Sequence, residues 1–127
     1  MKSQSIKIYQ KLYKNKRFKK KVNFDLIRIK LALSKLGNPE KNLRNVCQII
    51  GSDGKYSLLH SLKCFIQADN KTASAFISPS LKDIRERFWL GKNYLSYNKI
   101  IKSINKINKL KISLTIFEVI TLIFILN

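Results

Sequence analysis

Acidic residues are scarce in this chain. Seven Asp and Glu stand against 26 Lys and Arg, a formal charge of +19 over 127 residues. Histidine occurs once, as His60, and cysteine twice, as Cys47 and Cys64. So thin a supply of ligating and proton-transferring groups excludes several chemistries. No Ser/His/Asp triad and no paired carboxylates of the hydrolase kind are visible, and the cysteine spacing fits no zinc pattern. The two thiols fall in apolar stretches and read as core residues of a reducing compartment. His60 reads as a surface or boundary residue, not a metal ligand. No secretory leader precedes these segments. The most apolar run, residues 112–126, is too short for a comfortable membrane span and is interrupted by Glu118. The expected location is the cytoplasm.

A chain of this length has room for one domain and one modest core. Its 45% apolar content separates it from disordered sequences. A large positive charge ordinarily points to nucleic acid or an anionic membrane. Here Lys, Asn and Ile supply 21, 11 and 18 residues. These types share adenine- and thymine-rich codons, so base composition is an alternative source of the charge.

What is present is organised around residues 46–67. Val46, Cys47, Gln48, Ile49 and Ile50 form a short apolar run suited to a buried strand. Gly51-Ser52-Asp53-Gly54-Lys55-Tyr56-Ser57 follows, with glycine at both ends of a tight turn and then Lys and a hydroxyl residue. Leu58, Leu59, Leu62, Phe65 and Ile66 keep the spacing of one helix face. Strand, glycine turn and helix together are the setting of a phosphate loop. Gly51 and Gly54 permit torsions and close approach that a Cβ would block. Loop amides and the helix N-terminus would face phosphate, Lys55 would neutralise it, and Ser57 puts a hydroxyl where Mg2+ would sit. Two residues separate the glycines instead of the commoner four, and Tyr56 is bulky where a small residue is expected. The plain alternative is a surface turn that happens to contain Lys.

Residues 1–21 hold nine Lys or Arg and no acid. They are expected to be a mobile, partly helical basic leader, with an arm gripping RNA or lipid as the other use. Asn23 is placed to cap a helix with apolar positions 24, 27 and 31, flanked by 26, 29, 33 and 36; Gly37 and Pro39 stop it. Residues 72–77 read as a second strand, ended by Pro79. Asp83 and Arg87 read as an ion pair in a solvated loop. Residues 88–95 read as two short strands around Gly91, with Trp89 and Tyr94 packed across the strands. Between 97 and 110, Ile100, Ile101, Ile104 and Ile107 line one helix face, and Lys99, Lys102, Lys106 and Lys109 the other. The run 112–126 has the composition of a strand but is long for one. Thr115-x-x-Glu118 within it matches a capping box.

Five pieces, in order, resemble the folylpolyglutamate synthase / dihydrofolate synthase family of Mur-ligase-like ATP-dependent ligases. Leu36-Gly37-Asn38-Pro39 precedes the first strand. Gly51 to Ser57 is similar to the family's G-T-N-G-K-G-S, Ser78-Pro79-Ser80-Leu81 to its S-P-H-L, and Arg85-Glu86-Arg87 to its R-E-R. Leu114-Thr115-Ile116-Phe117-Glu118-Val119-Ile120-Thr121 is similar to its L-T-x-F-E-V-L-T. The resemblance covers roughly residues 22–127. It implies an α/β, P-loop-type fold: a mainly parallel sheet flanked by helices and incomplete at its edge, a truncated Mur-ligase-like ATP-binding domain. Residues 22–127 would be the N-terminal part of that domain, and the C-terminal glutamate-binding domain would be absent. The run 112–126 becomes a buried helix starting near Thr115.

The resemblance also implies a reaction and a site. ATP and Mg2+ are the implied cofactors, and glutamate would be joined to dihydropteroate or folate through an acyl phosphate. Lys55 would be catalytic. Gly51, Ser52, Asp53, Gly54, Lys55, Tyr56 and Ser57 would hold the nucleotide, Ser57, Ser78 and Glu118 the metal, and Ser80, Arg85 and Arg87 the substrate. Glu118 has two readings, helix cap and metal ligand. A carboxylate in so apolar a run needs a compensating partner, and the surrounding motif favours the metal. Asp53, Tyr56 and Ser80 replace the family's Asn, Gly and His. A fragment without the glutamate-binding domain is expected not to complete ligation, and to leave residues 112–126 uncovered. The alternatives are a non-enzymatic basic nucleic-acid-binding module, built on the N-terminal arm and the lysine helix, and an inactive folded remnant. Nucleic acid is not the expected partner.

Overall fold

A computed structural model describes residues 2–19 and 25–127. In chain order the elements are α1 (Lys2–Lys14), β1 (Phe18–Lys19), α2 (Ile27–Lys35), α3 (Lys55–Ala68), β2 (Ser74–Phe76), β3 (Phe88–Leu90), β4 (Asn93–Tyr94), α4 (Tyr97–Asn108), β5 (Leu114–Thr115) and α5 (Ile116–Ile125). Short 3-10 turns occupy Pro39–Asn42 and Ile84–Arg87.

The core forms around α5. Its sequence is apolar on nearly every side, so one neighbour cannot cover it. Ile116, Val119, Ile120, Leu122 and Ile123 are buried. They share one cluster with Ile100, Ile104 and Ile107 of α4 and with Ile8 and Leu12 of α1. The helices α2 and α4 pack on α5, and α1 packs on α4. The expectation of an uncovered 112–126 is therefore corrected: the chain's own helices cover most of it, and Phe117 stays 51% exposed. α4 is the amphipathic helix read from its isoleucines. Ser96 caps it, with Oγ accepting from Lys99 N at 3.4 Å, and Lys99, Lys102, Lys106 and Lys109 stand exposed.

The basic leader is also corrected. Residues 2–14 form α1, and Ile8 and Leu12, one turn apart, are fully buried. Ser5 Oγ accepts from Ile84 N at 2.9 Å, and Lys11 Nζ donates to Asn105 Oδ1 at 2.7 Å. The stretch is a fixed wall of the core, not a free arm. Asn23 and Phe24, with the boundary drawn at residue 22, lie outside the described residues. α2 begins at Ile27, whose N–H donates to Asp25 Oδ1 at 2.9 Å. It stops at Gly37, which takes φ +87°, a torsion that suits glycine.

Two small sheets complete the architecture. β1 pairs in parallel with β5, Phe18 opposite Leu114. β2, β3 and β4 form an antiparallel meander, with Phe76 opposite Phe88 and Trp89 opposite Tyr94, as expected of strands folding back at Gly91. The fold is mixed α/β, but the mainly parallel sheet is corrected: among the described residues the parallel part is one two-residue pair. The cause lies at residues 46–50. The strand expected there does not form. No backbone hydrogen bond joins the segment to another among the described residues, and Val46 and Ile50 are 74% and 82% exposed. A strand needs a neighbour to complete its ladder, and the described residues bring none to this one.

The helix after the loop is covered on one side only. Leu59 and Ile66 of α3 are half-buried, whereas Leu58, Leu62 and Phe65 are exposed. Both cysteines are exposed as well, which overturns their reading as core thiols. Cys64 Sγ lies 4.0 Å from Nδ1 of His60, itself a surface residue as expected.

Candidate phosphate-binding site

The loop 51–54 runs directly into α3. Gly54, the N-cap, takes φ +73° in the left-handed region, where a Cβ would be strained. Gly51 is less constrained: a Cβ there would meet Asp53 O at 3.6 Å and Lys55 Cγ at 3.8 Å, ordinary contacts. The first helical bond runs from Leu58 N to Gly54 O at 2.9 Å. The amides of Lys55, Tyr56 and Ser57 therefore begin the helix without intrahelical acceptors, and no side chain caps the end. Lys55 folds back over the turn. Its Nζ donates to Gly51 O and to Ser52 O, the latter at 2.7 Å. An ammonium, three open amides and a helix N-terminus at one exposed turn suit a phosphate group. A charged oxygen would also be a stronger acceptor for Nζ than either carbonyl.

Tyr56 faces the hairpin. Its ring centroid lies 6.1 Å from that of His60. With Leu59, His60, Lys63, Ile77, Trp89 and Tyr94 it lines a shallow, open hollow. Lys63 Nζ sits 4.2 Å from the Trp89 ring centre. The side chain is thus on the side of the β3–β4 hairpin and is 42% exposed. Asp53 remains exposed beside the turn.

Ser78, Ser80 and Arg87 come together. Arg87 Nη1 donates to Ser78 Oγ at 2.8 Å and Nε to Ser80 Oγ at 3.3 Å. Tyr9 OH, from the stretch read as a leader, closes on Ser80 Oγ at 2.6 Å. Arg85 is turned elsewhere. It pairs with Asp83 at 3.2 Å and lies 4.2 Å from the centre of the Tyr97 ring. The expected Asp83/Arg87 pair is corrected: Arg85 is the partner, and Tyr97 OH also donates to Asp83. Burial pushes the Asp83 carboxyl up, but the hydrogen bonds from Tyr97 and Arg85 outweigh it and hold the group below its ordinary value. The same pair holds Arg85 above its own.

The three proposed metal ligands are differently placed. Glu118 is 6% exposed. Its Oε2 accepts from Thr115 N at 2.6 Å, and Thr115 Oγ1 accepts from Glu118 N at 3.1 Å, a complete capping box. Its Oε1 accepts from Arg28 Nη2 at 3.3 Å. Arg28 is the compensating partner that the sequence reading missed, and with 90 residues between the two no local pattern could have revealed it. Ser78 likewise carries a guanidinium, that of Arg87. A resident cation opposes a second one at the same atom. Among the described residues no group of three or more His, Cys, Asp or Glu could hold a metal ion. The loop fits a phosphate; Ser78 and Glu118, partnered as they are, do not fit Mg2+.

No protein-family model and no curated protein matches the chain. Solved structures do. The chain is similar to folylpolyglutamate synthase of Thermotoga maritima, with a TM-score of 0.77 and 27% identity over 96% of this chain and 29% of that one. Mycobacterium tuberculosis folylpolyglutamate synthase complexed with ADP and AMPPCP matches at 0.75 with 18% identity, covering 97% of this chain and 28% of that one. The same enzyme complexed with ADP matches at 0.76 with 19% identity, covering 97% and 29%. The family resemblance read from the motifs is borne out by these likenesses, and the chain spans less than a third of the length of the enzymes it matches. No helix among the described residues is long and apolar enough to cross a membrane.

Proposed function

We propose that this chain supplies the nucleotide-phosphate-binding portion of an ATP-dependent ligase of the folylpolyglutamate synthase type. One observation carries the reading: the exposed Gly51–Ser57 turn at an uncapped helix N-terminus, with Lys55 across it, in a chain similar to enzymes whose structures were solved with ADP and AMPPCP. The reaction such a site serves joins the amine of glutamate to a carboxylate of dihydropteroate or folate through an acyl phosphate. Lys55 and the amides of residues 55–57 would stabilise charge on the transferring phosphoryl group. Gly51, Ser52, Asp53 and Gly54 shape the turn, Tyr56 lies on its hairpin side, and the Ser57 hydroxyl stays available to a phosphate-bound Mg2+. Ser80 and Arg87 would meet the folate-like substrate. Arg85 supports them indirectly, through Asp83 and Tyr97. The glutamate-binding surface would belong to the part of the family fold that this chain does not span. Without it, the proximity that lets an amine outrun water is missing, and the chain by itself binds nucleotide but does not ligate. Cytoplasmic ATP suits this role.

The test is titration calorimetry with AMPPCP and Mg2+. Lys55→Ala should lose binding and Lys16→Ala should keep it. Equal affinity in wild type and Lys55→Ala would overturn the assignment of the loop.

A further inference from the structure

The phosphate loop is flanked by two apolar surfaces that nothing among the described residues covers. Before it, Val46 and Ile50 are exposed, and the backbone of residues 46–50 has no ladder partner among the described residues. After it, Leu58, Leu62 and Phe65 stand one turn apart along α3 and are exposed, Phe65 at 72%. The opposite side of the same helix, through Leu59 and Lys63, lies against the hairpin. Large apolar side chains bordering an unpaired backbone segment of strand-like composition are the features of a site for strand addition.

We propose that residues 46–50 and the Leu58–Leu62–Phe65 stripe form a docking surface for one occupant: polypeptide equivalent to the part of a folylpolyglutamate synthase that this chain does not span. The share of length decides the occupant. The chain matches the relatives along almost all of itself but over only 28–29% of them, and the described residues bring no strand to 46–50, so the remaining part of that fold is the source of strands to flank it. A second copy is a poor occupant, because each copy carries +19 and like charges of that size oppose association. Docking would place residues 46–50 between two neighbours, where Val46, Ile49 and Ile50 suit a strand buried on both faces. This inference rests on the family likeness but not on nucleotide binding by the loop.

The test is co-expression of this chain, tagged, with a Thermotoga maritima folylpolyglutamate synthase lacking the stretch that this chain matches. Hydrogen exchange of the amides at 46–50 is then read in the purified chain alone and in the purified pair. The two chains should co-purify, and those amides should exchange at least about tenfold more slowly in the pair. Ile50→Lys should release the partner, and its own thermal unfolding should match that of the wild-type chain, because residue 50 is 82% exposed. Lys55→Ala should leave docking unchanged, which separates failure of this surface from failure of the loop. Four results would each overturn the proposal: no partner retained, a partner retained with 46–50 exchanging freely, protection of 46–50 in the chain by itself, or protection through self-association.

Discussion

Replacing Glu118 by Ala separates the two uses of one carboxylate. Thr115 N would lose its acceptor, a capping bond of about 1 kcal/mol. Arg28, with 21% of its side chain exposed, would lose its counter-charge. A pair so placed contributes about 1 kcal/mol, and a half-buried guanidinium left without its acceptor costs about 1 kcal/mol more. The total is about 3 kcal/mol, or roughly 10 °C in Tm for a chain of this size. Glu118→Gln keeps an oxygen for Thr115 N and loses only the charge, so it should cost about 1 kcal/mol. Thermal unfolding followed by circular dichroism, in EDTA and in Mg2+, measures both. If the cap and Arg28 account for the residue, each variant falls by the same amount in the two buffers. Two results refute this reasoning: an Ala variant within about 0.5 kcal/mol of wild type, or a wild-type stabilisation by Mg2+ that disappears in Glu118→Gln. The second would restore the metal reading.

Tyr56→Gly should leave AMPPCP affinity unchanged and lower unfolding stability by about 1 kcal/mol, since glycine weakens the first turn of α3; a tighter Kd would mean that the ring crowds the phosphates after all. Leu12→Ala should cost about 3 kcal/mol in urea unfolding, whereas a free basic arm would register no loss. Asp83 sets an acid limit. Its folded carboxyl titrates below the unfolded value of about 3.8, so its stabilisation is whole above that pH and is lost as pH falls through the lower folded value. The stability difference between wild type and Asp83→Asn should therefore be level above about pH 5 and shrink below about pH 4; a difference that grows on acidification would refute the sign.

Local pattern made much of the fold legible. The isoleucines of α4, the cap of α5 and the glycine turn between β3 and β4 each state their structure within a dozen residues. So does the loop, whose glycines, Lys55 and following helix stand where the spacing put them. Two kinds of information were hidden. Ile8 and Leu12 keep helical spacing but sit among lysines, and charge density masked two core residues. Residues 46–50 carry the composition of a buried strand, but composition states what surroundings a segment suits, not whether its neighbours are present. The same limit applied to the polar contacts. Tyr9 with Ser80 and Arg28 with Glu118 join residues 71 and 90 apart, and nothing in the local sequence of either partner marks the other.

The position of α1 has a consequence for the order in which the molecule can form. α1 packs on α4, and Lys11 meets Asn105 across 94 residues. β1 likewise waits for β5. A short helix with no tertiary partner is marginal in water, so α1 has nothing to fold against until its partners at Ser80, Ile84 and Asn105 have been made. At about 5–20 residues per second that delay is roughly 5–20 s. During that time the basic segment is exposed, and the loop closures that eventually capture it span 71 to 94 residues, with an entropic cost to match. The meander and α3 complete their contacts within a shorter span and can form earlier. α1 is therefore expected to become native later than α3 and the meander.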